Sequence, residues 1–207
     1  MPSARAALFA VPLALGVLGT AVAPAGATSH HHRPSTSLTC RGEGVDPKAA
    51  VRYKIATLIH APLSTVWKLQ TQVERWPSWQ AHVEGVKRLD HGRFREGSAF
   101  HWTTPVPATS STPASTMGIT STVQQLKRNS CLRWTGPADS EGIHIDGTHV
   151  WNFTKVRDGV LVRTEETHTG PQVDANVPEA TAILKAGLDT WVSELKTAAE
   201  ARSGCRH

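Results

Sequence analysis

The chain has 207 residues, with 22 Lys and Arg against 17 Asp and Glu and a formal net charge of +5. Its cations stand singly (Lys48, Arg52, Lys54, Lys68, Arg75, Lys87, Arg88), which excludes the clustered footprint of a nucleic-acid binder. Three cysteines are too few for a disulfide scaffold, and beyond the N-terminus no apolar run reaches the ~20 residues of a membrane-spanning helix.

Residues 1–27 pair a basic Arg5 with an apolar run from Ala6 to Ala23 and end in Ala25-Gly26-Ala27, the pattern of a secretory signal with an A-x-A cleavage site. The expectation is an exported chain starting near Thr28. Residues 28–48 are polar, rich in Gly, Pro, Ser and Thr, and without periodicity, so they read as a flexible arm. The run His30-His31-His32 within it reads as solvated rather than metal-binding. The rest, residues 49–204, suits a single domain, and a monomer.

In "AVRYKIATLIH", Val51, Tyr53, Ile55 and Thr57 alternate with Arg52, Lys54 and Ala56, which predicts a strand. From Pro62 the period changes to three or four residues (Val66, Leu69, Val73), which predicts a helix that Pro77 ends. Trp76 and Trp79 flank this corner. One is expected to lock it by core packing and the other to border a cavity mouth. Six further alternating runs follow, separated by turn residues at Asp90-His91-Gly92, Glu96-Gly97, Arg128-Asn129-Ser130 and Asp158-Gly159, and they predict an antiparallel meander. The segment Thr104 to Gly118 is rich in Ser, Thr and Pro and long for a hairpin, so it is expected to be a mobile lobe without strand pairing. The chain closes on a helix of about 25 residues from Pro178, whose stripe Leu184, Leu188, Trp191, Leu195 and Ala198 needs an apolar surface to cover.

This order of elements, with "IHAPLSTVWKLQTQVERWPSWQ", "STVQQLKRNSCLRWTG" and "HVWNFTKVRDGVLVRTEETHTG", resembles the START/SRPBCC superfamily, in particular its polyketide cyclase/dehydrase-like group. The resemblance covers roughly Ala49 to Ser203. It implies the α+β helix-grip fold, a curved antiparallel sheet of about seven strands around a long C-terminal helix, with a ligand cavity between the two.

Strand parity sorts the side chains of such a sheet. Phe100, Trp102, Trp134, His149, Trp151, Glu166 and His168 fall on the inner face, with Trp79 at the mouth, and these are the candidate ligand-binding residues. Arg163 and Glu165 fall on the outer face. An inward carboxylate needs a partner, and His149 and His168 are within its reach, so Glu166 is read as a loop cap, as the group that orients a ligand oxygen, or with His149 as an acid/base pair. The function expected is binding of a small, largely apolar or aromatic molecule; the alternative is a cyclase or dehydrase acting on a polyketide-like substrate. No cofactor motif is present, since a G-x-S-x-G elbow and a Gly-rich phosphate loop are lacking. A zinc site from His144, His149 and His168 fails because His144 and His149 fall on opposite faces of one strand. Of the cysteines, Cys40 and Cys205 stand near opposite ends of the domain and are expected to pair, leaving Cys131 as a buried thiol.

Overall fold

The computed structural model describes residues 36–204 apart from residues 107 and 109–112, so residues 1–35, expected as the signal and the start of the arm, lie outside the described residues. A seven-stranded antiparallel sheet is formed by β3 (Val51–Ile59), β4 (Gly85–Arg88), β5 (Ala99–Val106), β6 (Ser115–Lys127), β7 (Cys131–Ser140), β8 (Ile143–Val156) and β9 (Gly159–Thr169). Its spatial order is β3-β9-β8-β7-β6-β5-β4, so β4 to β9 run as a meander and the first strand closes one edge against β9. Each alternating run of the sequence is thus a strand, because burying one face of a sheet requires period-two patterning.

Pro62 occupies the N-cap of α1 (Leu63–Thr71), and a 3-10 helix (Val73–Ser78) follows; Pro77 lies inside the latter and does not end α1 as expected, because the chain has already left the α-helix six residues before it. Gly170 leads into a short α2 (Pro171–Ala175) and then α3 (Val177–Gly204). Leu184, Leu188, Trp191 and Leu195 are buried as the stripe predicts, but Ala199 is its buried end, while the expected Ala198 is only partly buried against the same cluster. Helix α3 is also fastened by polar bonds. Gln80 Nε2 donates to the Trp191 carbonyl at 3.1 Å, Trp191 Nε1 to Gln70 Oε1 at 3.2 Å, and Lys196 Nζ to the Leu58 carbonyl at 2.7 Å.

Three further expectations are corrected. Cys40 is bonded to Cys131 and not to Cys205, which lies outside the described residues. Cys131 is therefore no free thiol. Second, the polar segment from Thr36 to residue 48 is no flexible arm: it holds the hairpin of β1 (Thr39–Cys40) and β2 (Glu43–Gly44), laid on the outer face of the sheet. There Leu38, Cys40 and Val45 pack against Cys131 and Val150. Glu165 faces outward as parity demands, yet it is buried beneath this hairpin, accepting bonds from the Leu38 amide at 2.6 Å and Ser37 Oγ at 3.1 Å. Third, strand pairing persists through Val106 and Ser115, so both flanks of the expected lobe, Thr104–Val106 and Ser115–Gly118, are ladder. Proline is tolerated in it because Pro105 lies close to the hairpin end, where a missing N–H is readily spared.

Candidate functional site

Two apolar clusters occupy the space between the inner face of the sheet and the helices. The larger is aromatic. Trp76, completely buried, meets Phe100 at 5.3 Å, Trp102 at 5.8 Å, Trp134 at 5.9 Å and Trp191 at 4.8 Å between ring centroids. Most of these contacts are edge-to-face, the arrangement that the ring quadrupoles favour. Trp76 is thus the corner lock. Trp79 is only partly buried and lies against Trp191 at 6.2 Å. The smaller cluster joins Val51, Met117, Ile145, Val173, Leu184 and Leu188 at the other end of α3.

Between the clusters runs a polar belt. Cross-strand partnership places Tyr53, Glu166, His149 and Trp134 in one row across β3, β9, β8 and β7. The adjoining row holds His168, Gly147 and Gly136. The two glycines leave the middle of the face without side chains. They differ in kind, however. A Cβ on Gly136 would lie 1.8 Å from the Thr120 carbonyl oxygen, so the bend of β6 over β7 admits only glycine there. A Cβ on Gly147 would meet nothing nearer than the Gly136 carbonyl oxygen at 3.5 Å, with Glu166 Oε1 at 3.9 Å, so at that position glycine leaves room.

Glu166 is the centre of the belt. His168 Nε2 lies 3.3 Å from Oε1 and His149 Nδ1 lies 3.3 Å from Oε2. Burial alone raises the Glu166 carboxyl, but the two imidazoles outweigh it and hold the group below its ordinary value. Burial pushes the His149 imidazole down to about 4, against the pull of Glu166, so at neutral pH the pair is a carboxylate beside an uncharged ring. A carboxylate facing the Nδ1 edge favours the tautomer with its proton there. The Thr164 hydroxyl donates its one proton to the Val150 carbonyl at 3.0 Å, and its oxygen lies 2.6 Å from His149 Nε2. A proton on Nε2 would be donated to that oxygen with the bond to Val150 kept. The belt can therefore accept a hydrogen bond at Glu166 and exchange a proton between that carboxylate and the imidazoles beside it.

Glu166 and His168 keep 19% and 22% of their side chains accessible, whereas His149 keeps 6%. Trp102 is partly exposed, and its Nε1 donates to Ser121 Oγ at 3.2 Å. Phe100, Trp134 and Trp151 are enclosed in the aromatic cluster, so of the candidate aromatic residues only Trp79 and Trp102 retain a free edge. Tyr53 borders the belt from β3. Its hydroxyl donates to Asp189 Oδ1 at 2.9 Å and accepts from Lys185 Nζ at 3.2 Å. Sequence reasoning misses Tyr53, Ser121 and both glycines as belt members; the available signal is glycine within a strand, which marks a bend or a need for room. Among the described residues no group of three His, Cys, Asp or Glu has metal-holding geometry, and no helix is long and apolar enough to cross a membrane.

Residues 59–170 match the profile of a family described as polyketide cyclase/dehydrase and lipid transport. Solved structures with the same fold include a START superfamily protein from Mycobacterium smegmatis, 12% identical, covering 72% of this chain and 97% of that one with a TM-score of 0.59. The Thermus thermophilus protein TTHA0849 is 14% identical, with coverages of 73% and 99% and a TM-score of 0.57. The di-domain ARO/CYC StfQ from the steffimycin biosynthetic pathway is 18% identical, with coverages of 74% and 52% and a TM-score of 0.55. No curated protein matches the chain.

Proposed function

The chain belongs to the polyketide cyclase/dehydrase and lipid-transport family, and from that premise we propose that it is an exported protein that binds a small, largely apolar molecule between sheet and α3. The observation that carries this reading is the belt: an accessible carboxylate beside two imidazoles, in front of two side-chain-free positions, between two packed apolar clusters. An apolar body is held by the clusters' facing edges, and one hydroxyl of the ligand donates to Glu166. A ligand lacking that hydroxyl would bind worse by the value of a charged hydrogen bond, about 1.5–3 kcal/mol. The Cys40–Cys131 bond supports export, because such bridges persist in oxidising compartments.

Organic extraction of the purified protein followed by mass spectrometry tests the binding directly. Glu166→Gln then separates the roles of the carboxylate. Weakened binding with an unchanged melting temperature supports ligand orientation. A loss of only ~0.5–1.5 kcal/mol in stability with unchanged affinity would reduce Glu166 to a structural cap. A second reading, catalysis of cyclisation or dehydration, is favoured by the accessible Glu166 carboxylate beside two imidazoles, a group that accepts a proton from a bound substrate. Under that reading the same variant retains binding and loses roughly 100-fold or more in turnover.

A further inference from the structure

The outer face of the sheet carries a second concave feature. Beside the disulfide lies a pocket of about 330 Å³ whose lining includes Arg41 of the hairpin, Lys127 and Ser130 at the β6–β7 turn, Asn152 and Thr154 of β8, and Arg163 of β9, and no acidic residue. Arg163, Asn152, Cys131 and Lys127 are successive cross-strand partners over four strands. At a strand spacing of ~4.8 Å this row spans about 14 Å, a distance two long cationic side chains can close around one bound group.

The cations are held for reasons other than mutual neutralisation. Arg163 Nη2 donates to Thr154 Oγ1 at 3.0 Å, and its buried Nε has no partner among the described residues. Neither Arg163 nor Lys127 forms an ion pair among the described residues. Arg41 does, with Glu96 at 2.7 Å, and it takes a positive φ of 53° at the tip of a hairpin that the disulfide pins in place. Asn152 Nδ2 ties the hairpin from below by donating to the Thr39 carbonyl at 2.9 Å. Convergent like charges repel, so the arrangement of Arg41, Lys127 and Arg163 around one pocket is completed by an anion. Arg supplies the fork that matches an oxyanion, and the Ser130 and Thr154 hydroxyls add donors.

We infer that this pocket is a binding site for a phosphate or sulfate group, separate from the inner belt. Its volume exceeds what one such ion fills, which favours the group carried on a small organic molecule. The experiment is an NMR titration of the oxidised, full-length protein at low ionic strength with inorganic phosphate, sulfate and glycerol phosphate. Expected are saturable shifts at Ser130, Asn152 and Arg163, at least tenfold weaker binding in Arg163→Gln and in Lys127→Gln, and no change in Lys87→Gln. A lower midpoint for glycerol phosphate identifies an ester as the ligand; equal midpoints identify the free ion. Linear shifts for all three probes, or equal midpoints in wild type and the exposed-site variant Lys127→Gln, would overturn the inference. Glu166→Gln serves as the control for independence: it should leave phosphate binding intact whatever happens to the inner site.

Discussion

His149 couples stability to pH, and the structure sets the direction and the size. In the unfolded chain the ring takes up a proton near 6.5, whereas in the fold burial delays protonation to about 4. Between those values the unfolded state binds more protons, so stability falls as pH falls through this window and levels off below it. The difference corresponds to about 3 kcal/mol, a large share of the 5–15 kcal/mol that typically holds a domain together. Glu166 acts in the same direction at lower pH. Its folded value is depressed, so its contribution is present above the unfolded value and is lost as pH falls through the folded one. Replacing His149 by Gln keeps a group able to bond Thr164 but removes the titration. Denaturant unfolding followed by tryptophan fluorescence between pH 7 and 4 should show the wild type losing about 3 kcal/mol more than the variant. The variant's lower absolute stability, from lost packing against Trp134 and Trp151, does not enter that difference. Equal pH dependence in the two proteins would mean that the imidazole takes up its proton at the same pH in the fold as in the unfolded chain, so that burial does not set its charge.

Reduction of Cys40–Cys131, which closes a separation of 91 residues, should lower unfolding free energy by about 4.6 kcal/mol on the chain-entropy account, read from urea midpoints with and without reductant. Gly136→Ala should be strongly destabilising because of the Thr120 carbonyl, whereas Gly147→Ala should leave the melting temperature nearly unchanged while weakening retention of the extracted ligand. Trp151→Ala should cost about 3–5 kcal/mol in stability, since the ring is completely buried between His149, Phe153 and Trp191, and calorimetry would measure it.

The sheet and the inner face were legible because both follow from period two. Once Trp151 and Phe153 are assigned inward, parity carries Glu166, His149 and His168 to the same side. The hairpin was not legible, because its attachment rests on a disulfide, a few small apolar residues and backbone bonds to Glu165, none of which has a period. Glu165 shows the same limit from the other side. Its direction is fixed by parity, but its burial depends on a segment more than a hundred residues away. The ladder through Val106 and Ser115 escaped because composition argues against pairing there, while register continuing from Phe100 and Trp102 enforces it.

The belt also sets what the fold gives up. Buried ionic groups replaced by well-packed apolar ones of similar volume often leave a protein as stable as before, or more stable by about 1–4 kcal/mol. A version with leucine at positions 149 and 166 would join the two apolar clusters into one uninterrupted core. It should melt higher than the natural chain and retain nothing on extraction. The gap between the two melting temperatures measures how far robustness and use are opposed at these positions.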